Sequence, residues 1–455
     1  MPNGNTNRHH VTVIGAGLVG SLLSIYLARR GFKVDVYERR PDMRTVNIRA
    51  GRSINLALSR RGLHALEEVG LKERIMQIAL PMKGRMVHEV SGEQRLVPYG
   101  QGEAEVINAV SRGELNKIIM DEAEKQDGVT LHFQQRCTNV DLAQGRLTLR
   151  DESAQKEATA GFTTVIGTDG AASAVRDALV ATGEVQVTKE DLAHGYKELT
   201  IPPGAGGEFR LDKNALHIWP RGMYMLIALP NLDGSFTCTL FFPMHGEVSF
   251  ATLQTEAAVS EFFNREFPDA VPMMPTLLHD FFANPTGALA TIRCTSWHYR
   301  DRACILGDAA HAIVPFFGQG MNCGFEDCSV LNACIGTHAP DWQKTFAEFV
   351  KLRKVNTDAV AVLSLANYVE MRDLVADPKF ALKKEVEFAL ERTFPHLFIP
   401  KYSMVSFHRI PYSTALEKGK IQEQILQELC APIATIEDVD WDMAEKLLKS
   451  RIDNR

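Results

Sequence analysis

Residues 11–38 read VTVIGAGLVGSLLSIYLARRGFKVDVYE, and this stretch decides the fold. VTVIG is typical of a buried strand, LVGSLLSIYLARR of a helix, and KVDVYE of a second strand. Gly31 separates the helix from the second strand. A β-α-β unit of about 30 residues predicts a Rossmann-type domain in an α/β protein.

A glycine-rich turn, Gly15-Ala16-Gly17-Leu18-Val19-Gly20, joins the first strand to the helix. Gly15 permits the tight turn, Gly17 lets the backbone approach a pyrophosphate, and Gly20 lets helix and strand pack closely. Glu38 ends the second strand, where its carboxylate is placed to accept hydrogen bonds from ribose hydroxyls. The motif predicts dinucleotide binding but does not separate FAD from NAD.

Two later stretches extend this prediction. A strand ACIL leads into Gly307-Asp308, and the Asp308 carboxylate is placed to bind the sugar-like chain of a flavin. The following residues 315–322, PFFGQGMN, open a helix whose free N–H groups and dipole favour negative charge on a reduced flavin. A further strand ends at Asp169-Gly170, and Arg176 behind it is suited to a phosphate or to a carboxylate.

The rest of the chain predicts two further regions. Short runs rich in β-branched and aromatic residues between 195 and 291 predict a mostly antiparallel sheet. A helical pattern runs from Gly320 to Lys354 and on through Arg372. We therefore expect a discontinuous FAD-binding domain over 1–180 and 292–350, a substrate domain over 51–110 and 181–291, and a helical C-terminal region over 351–455.

Composition excludes several classes of partner. The 455 residues carry a net charge of −6, so nothing favours nucleic acid or an anionic membrane. The eight cysteines form no C-x-x-C pair and no zinc-like spacing with histidine, so we expect no metal and a cytoplasmic protein with reduced thiols. The chain closes on a charged amphipathic stretch, which predicts no membrane anchor.

In this order and spacing, the motifs resemble those of the aromatic hydroxylases, single-component FAD monooxygenases with one Rossmann-type domain. No second G-x-G-x-x-G is present, which fits a family in which the nicotinamide nucleotide docks transiently. Longer strings between residues 11 and 412 resemble one branch of it, the kynurenine 3-monooxygenases; they are GRSINLALSRRG (51–62), GRMVH (84–88), HGYKELTIPP (194–203), LHIWPRG (216–222), AIVPFFGQGMN (312–322), NYVEMR (367–372) and PKYSMVSF (400–407).

The resemblance implies the residues of each site. It makes Arg85 and Tyr99 ligands of the substrate's α-carboxylate. It makes Asn367 and Tyr402 further substrate contacts, and Glu370, one helical turn from Asn367 on the same face, is expected to be a substrate-binding residue with them. The implied FAD neighbours are Gly15, Gly17, Leu18, Val19, Gly20, Tyr37, Glu38, Arg39, Arg40, Ala57, Arg112, Cys137 (where a leucine is expected), Asp169, Asp308, Pro315, Gly318, Gly320, Met321 and Asn322.

The resemblance also implies the reaction. NADPH reduces FAD, dioxygen forms a flavin C4a-hydroperoxide, and this hydroxylates L-kynurenine to 3-hydroxykynurenine in tryptophan degradation. Because the flavin performs the chemistry, no side chain is assigned a catalytic role, and His311 is interpreted as structural. Pro315, Phe316 and Phe317 are expected to be apolar walls that keep water out, Phe317 also contacting the substrate.

Two alternatives stay open at this point. One is an FAD monooxygenase that acts on another aromatic carboxylic acid. The other is a non-enzymatic flavin-fold binding protein, for which a degraded flavin loop would be expected. The sequence also leaves open the oligomeric state, for which a dimer is one option, and the choice between NADPH and NADH.

Overall fold

The computed structural model describes residues 9–46, 55–374 and 378–453, so the first four residues of the string at 51–62 lie outside the described part. The strands are β1 His10–Ile14, β2 Lys33–Tyr37, β3 Asn55–Leu58, β4 Ala79–Met82, β5 Gly84–His88, β6 Gln94–Pro98, β7 Ile107–Ser111, β8 Val129–His132, β9 Gln135–Asp141, β10 Arg146–Asp151, β11 Lys156–Gly161, β12 Thr164–Gly167, β13 Val187–Ile201, β14 Ala215–Pro220, β15 Met225–Pro230, β16 Phe236–Pro243, β17 Gly287–Cys294, β18 His298–Tyr299 and β19 Ala303–Ile305. The α-helices are α1 Leu18–Arg29, α2 Arg60–Glu68, α3 Lys72–Met76, α4 Arg112–Glu124, α5 Ala174–Ala181, α6 Glu256–Glu266, α7 Leu277–Ala283, α8 Asp308–His311, α9 Gly320–His338, α10 Trp342–Val369, α11 Pro378–Thr393, α12 Lys401–Ser406, α13 Tyr412–Cys430 and α14 Trp441–Leu448.

The N-terminal β-α-β unit lies at the centre of a six-stranded sheet of order β18-β19-β12-β1-β2-β8. Strand β1 pairs in parallel with both β2 and β12, and the antiparallel β18 lies at one edge. Val11 and Val13 on β1 are fully buried, as are Val34 and Val36 on β2. Such apolar strands need cover on both faces, which helices α1, α4 and α9 help to provide. The predicted Rossmann-type fold is confirmed.

The substrate-side sheet has seven strands in the order β17-β13-β16-β15-β14-β5-β6. Its neighbours pair antiparallel, as the sequence predicts, except for β14 and β5, which run parallel. The short β5–β6 hairpin comes from an early part of the chain and completes a sheet built mainly from residues 187–294. This pairing carries residue 85 to the face on which the C-terminal helices pack.

The helical part differs from the sequence pattern at one point. The region from Gly320 to Lys354 is helical, as its pattern predicts, but it is divided into two helices, α9 and α10. Pro340 disfavours a continuing helix, and Asp341 starts a new one, because its carboxylate accepts a hydrogen bond from the Lys344 N–H across 3.0 Å.

Helix α10 then runs to Val369 and passes into a π-helical turn over Glu370–Leu374. The expected limit at 350/351 falls inside α10, and the expected limit at 291/292 falls inside β17. The first of these limits therefore divides a single helix, and the second divides an edge strand of the seven-stranded sheet. The domain limits otherwise stay a prediction.

Candidate active site

The glycine turn between β1 and α1 is tightly packed at Gly15 and Gly20 and has free space at Gly17. Gly15 has a φ of +100°, and a Cβ there would lie 2.7 Å from the Thr168 carbonyl oxygen. A Cβ on Gly20 would overlap the Gly15 carbonyl. At Gly17, by contrast, a Cβ would meet no atom within 4 Å. The turn therefore packs through Gly15 and Gly20 and leaves free space at Gly17, where a pyrophosphate would need it.

Glu38 links this turn to the segment after β2, because its carboxylate accepts hydrogen bonds from both. One of its carboxylate oxygens accepts from the Ala16 N–H and the other from the Arg40 N–H, each across 2.9 Å. Arg39 and Arg40 are exposed, and Tyr37 stacks on His132 with ring centroids 4.7 Å apart. The Glu38 carboxylate thus lies at the mouth of the open turn, within reach of a ribose.

Asp308 faces outward from the second glycine turn. It is exposed, whereas Gly307 before it and Ala309 after it are buried. Gly307 has a φ of +57°, and a Cβ there would lie 3.2 Å from the Val19 side chain. Only glycine suits that close, left-handed turn, so the backbone presents the Asp308 carboxylate to open space.

The flavin loop, residues 315–322, is held from below by one side chain. Asn322 is fully buried; its amide donates to the Ala57 and Gly318 carbonyls across 2.8 Å each and accepts from the Ser59 N–H across 2.9 Å. The expected contact of Asn322 with FAD is therefore left to its backbone. Gly318 has a φ of +66°, and a Cβ there would come within 2.9 Å of the Ala57 methyl group. Pro315 is exposed beside it, and Gly320 and Met321 are half-buried at the start of α9.

Four further expected FAD neighbours differ in what they offer. Arg112 is exposed at the first turn of α4. Burial and the nearby Asp169 charge raise the pKa of the Cys137 thiol to about 12, so the thiol stays protonated. Asp169 accepts from the Ser173 hydroxyl (2.5 Å) and the Ala174 N–H (2.7 Å), which uses it to start α5. Leu18 is buried, so only its backbone can reach a cofactor.

The main contacts of Arg176 are backbone carbonyls rather than the phosphate or carboxylate that the sequence suggests. Its guanidinium donates to the Ala171 carbonyl across 2.8 Å and to the Ala309 carbonyl across 3.3 Å. Asp177 lies 3.8 Å away but is mostly exposed. Arg176 thus connects the turn after Asp169 to the turn at Asp308 through these hydrogen bonds, one on each side of the open space.

The expected substrate residues meet in one place, at the end of β5. The buried Arg85 guanidinium donates to the Glu370 carboxylate across 3.0 Å and to the Asn367 side-chain oxygen across 3.3 Å. The rings of Tyr99 and Tyr402 stack at 5.2 Å with an angle of 7° between them. The carbon of the guanidinium lies 5.7 and 5.5 Å from the centres of those two rings.

The charges in this cluster are fixed by its surroundings. Burial opposes ionisation of Glu370, but the positive charges of Lys384, Arg85 and Lys401 outweigh it and lower the pKa of Glu370 to about 2. Burial raises the pKa of the Tyr99 and Tyr402 phenols, so both keep their protons and can donate hydrogen bonds. An ionised guanidinium beside two phenolic donors is an arrangement that binds a carboxylate.

This cluster also touches the flavin loop. The Asn367 amide nitrogen donates to the Phe316 carbonyl across 2.7 Å. Phe317 stacks on Tyr402 with centroids 5.3 Å apart, and Phe316 stacks on Tyr368 at 3.9 Å. The carboxylate-binding cluster and the loop that would border a flavin are therefore in direct contact, with aromatic rings between them.

Comparison with known proteins decides the family. Residues 8–200 and 256–341 match the family described as FAD binding domain. Kynurenine 3-monooxygenase of Myxococcus xanthus strain DK1622 is 51% identical over 442 residues, which are 97% of this chain and 95% of that protein. The enzyme of the same name from Stenotrophomonas maltophilia strain K279a is 44% identical over 97% of each chain. The chain belongs to the kynurenine 3-monooxygenase family.

A solved structure agrees at the level of the fold. p-Nitrophenol 4-monooxygenase PnpA from Pseudomonas putida DLL-E4 superposes with a TM-score of 0.65 over 91% of this chain and 98% of its own, at 16% identity. As a member of the kynurenine 3-monooxygenase family the chain is an FAD-dependent aromatic monooxygenase, so a non-enzymatic binding protein is excluded. Among the described residues, the helices lack the combination of length and apolar character needed to cross a bilayer.

The site fits FAD, the cofactor of the kynurenine 3-monooxygenase family. Gly17 leaves open space, the Asp308 carboxylate faces outward, and the start of α9 lies beside the flavin loop. In contrast, a metal does not fit the nearby group of His311, Cys323 and Asp327. The Arg353 guanidinium donates to Asp327 across 2.8 Å, and His311 contacts the same carboxylate across 2.6 Å. The buried Arg353 guanidinium thus neutralises the Asp327 carboxylate, and His311 shares that carboxylate with it.

Sequence reasoning missed two buried charge groups of the kynurenine 3-monooxygenase fold. Below the flavin loop, Arg61 and Arg353 both bind Glu326, across 2.7 and 2.6 Å. Beside the substrate cluster, Lys384 binds Glu387 across 2.6 Å. The i,i+3 spacing of Lys384 and Glu387 is visible in the sequence, but such a pair normally lies on a solvated helix face. Nothing in the local pattern marks it as buried.

Proposed function

We propose that this enzyme hydroxylates L-kynurenine to 3-hydroxykynurenine, with NADPH and dioxygen as co-substrates. The observation that carries the proposal is the buried Arg85 with two phenolic donors in contact with the flavin loop. Relatives that share 41–51% identity over nearly the whole chain carry the name kynurenine 3-monooxygenase, which supports the same substrate.

In this proposal, FAD is held by the residues around the open space. Gly17 leaves room for the pyrophosphate, Glu38 accepts from the ribose, and Asp308 accepts from the sugar-like chain. The N–H groups at the start of α9 stabilise negative charge at the flavin ring. Bound FAD supplies the redox chemistry, taking a hydride from the nicotinamide and activating dioxygen.

The protein's own residues bind and orient the substrate. Arg85 grips the α-carboxylate through two N–H bonds, and the Tyr99 and Tyr402 hydroxyls add donors. The aromatic ring then extends toward Phe316 and Phe317, which exclude water from the reacting end. The ring amine of kynurenine makes the neighbouring carbon electron-rich, so no protein base is needed to activate it.

NADPH oxidation measured with and without L-kynurenine, together with mass detection of the product, tests this proposal. A product heavier by one oxygen atom and formed only with L-kynurenine supports it. Oxidation stimulated by a different aromatic carboxylic acid, with L-kynurenine unchanged, would instead support the alternative substrate. We also propose that the enzyme acts in the cytoplasm, because all eight cysteines are free thiols and six of them are buried.

A further inference from the structure

Four charged side chains form two contacting pairs at the carboxylate end of the proposed substrate site. Arg85 contacts Glu370 across 3.0 Å, and Lys384 contacts Glu387 across 2.6 Å. The side chains of Arg85 and Glu370 are only 7% and 16% exposed. A ligand that enters this region therefore meets two ion pairs that are already formed, and the positive charge of Lys401 also acts on Glu370.

A ligand carboxylate that binds Arg85 shares the guanidinium with Glu370. One end of the guanidinium donates to Glu370 and the other to Asn367. A second carboxylate on the same guanidinium would face the Glu370 carboxylate, and two like charges in a shielded site repel strongly. Binding is favoured if the ligand also brings a positive charge to Glu370.

An α-amino acid brings that charge to the required place. Its ammonium group is bonded to the carbon next to the carboxylate, so both groups reach side chains that share one guanidinium. Glu387 is the other anion nearby, but it contacts Lys384 and not the Arg85 guanidinium that would bind the carboxylate. Glu370 stays ionised at physiological pH because the surrounding cations keep its pKa low.

We infer that Glu370 receives the α-ammonium group of the substrate, and that this contact selects zwitterionic α-amino acids over aromatic acids that lack the amino group. Before the ligand binds, Arg85 and Glu370 neutralise each other. When it binds, Arg85 contacts its carboxylate and Glu370 contacts its ammonium group. The inference rests on the proposed function and adds a specificity-determining role to it.

Two ligands that differ only in the amino group test this inference. L-Kynurenine is compared with 4-(2-aminophenyl)-4-oxobutanoic acid, which keeps the ring, the ketone and the carboxylate. Binding is followed by titration of the flavin absorbance, and turnover by product mass. Wild type should prefer L-kynurenine by about 30-fold or more, the scale of one desolvated charge pair.

The variants separate recognition from folding. Glu370→Gln should remove most of this preference by weakening L-kynurenine, and Glu370→Asp should retain part of it. Glu391→Gln is the matched control, because Glu391 lies on α11 but bonds Gln101 rather than Arg85; it should keep the wild-type ratio. FAD content and thermal unfolding show whether each variant is folded.

The opposing outcomes are distinct. If folded Glu370→Gln weakens both ligands equally, Glu370 acts only through Arg85 and the inference is wrong. If wild type hydroxylates L-kynurenine but binds both ligands equally, the inference is also wrong, whether or not any variant folds, and the proposed function stands. If wild type neither binds nor hydroxylates L-kynurenine, the proposed function fails and the inference fails with it.

Discussion

Replacing Arg85 with alanine tests the proposed substrate anchor most directly. Arg85 is only 6% exposed and its guanidinium lies beside the stacked rings of Tyr99 and Tyr402, so little water can replace it at a ligand carboxylate. Removing one partner of a hydrogen-bonded charge pair in such a site loses roughly 2–5 kcal/mol. At about 1.4 kcal/mol for each factor of ten, kcat/KM for L-kynurenine should fall about 30-fold or more.

The structure predicts that kcat/KM falls by more than the lower limit of about 30-fold. Arg85→Ala removes the donor to the ligand and also frees the Glu370 carboxylate, which Arg85 neutralises across 3.0 Å. The ligand carboxylate then meets an anion where it met a cation. Arg85→Lys should recover only part of the loss, because an ammonium lacks the planar fork that reaches Glu370 and Asn367 together.

Steady-state kinetics with mass detection of the product measures the effect, and flavin absorbance gives the FAD content, which should stay near wild type. Hydrogen peroxide formed per NADPH should rise, since a poorly placed ring is hydroxylated less efficiently. Arg150→Ala is the control, because Arg150 is exposed on β10 and bonds Gln155. Near-normal kcat/KM in Arg85→Ala would refute the reasoning and move the carboxylate anchor elsewhere.

Four further predictions concern the glycine turn, the reduction of the flavin, the flavin loop and the charge of Glu370. Gly17→Val should fold but purify without flavin colour, because a Cβ at Gly17 meets no protein atom within 4 Å and would fill the space left for the cofactor; full colour would remove this turn from the FAD site. L-Kynurenine should greatly accelerate flavin reduction by NADPH in stopped-flow traces, and a rate indifferent to kynurenine would count against substrate gating. Asn322→Ala should lower both the melting temperature and FAD retention, because the buried Ser59 N–H loses its acceptor, at about 1–3 kcal/mol, and the half-buried Ala57 and Gly318 carbonyls each lose a donor. The pKa of Glu370 is lowered from 4.5 to about 2, so its stabilising contribution is fully present above about pH 4.5 and is lost as the pH falls toward 2; the difference in melting temperature between wild type and Glu370→Gln should be constant near neutrality and shrink only in that acid range.

Local sequence pattern was sufficient for the Rossmann-type unit because its physics is local. The alternating valines of β1 and β2 are buried by neighbouring helices, and the glycine turn needs only its own backbone and Thr168. The antiparallel character of the second sheet was also readable from its β-branched and aromatic runs. The parallel β5–β14 pair was not, since it joins segments that are far apart in the sequence.

The substrate cluster was beyond any local pattern. Arg85 and Tyr99 come from the early hairpin, Asn367 from the end of α10, and Tyr402 from α12, so only the resemblance to a family could group them. The direction of the Asn322 side chain was likewise hidden. An asparagine at a helix start after a glycine-rich loop looks like a cofactor ligand, and only the backbone of β3 shows that the amide is already bound.

The contacts of Asn367 explain why substrate binding and flavin reduction should be coupled. Its oxygen accepts from Arg85, and its nitrogen donates to the carbonyl of Phe316 in the flavin loop across 2.7 Å. A carboxylate that engages Arg85 changes the donor available to Asn367, and Asn367 in turn holds the loop. Phe317 is tied to the same cluster through its stack on Tyr402. Because the loop and the substrate anchor share these side chains, we expect occupancy of one to change the free energy of the other, and such a coupling acts equally in both directions.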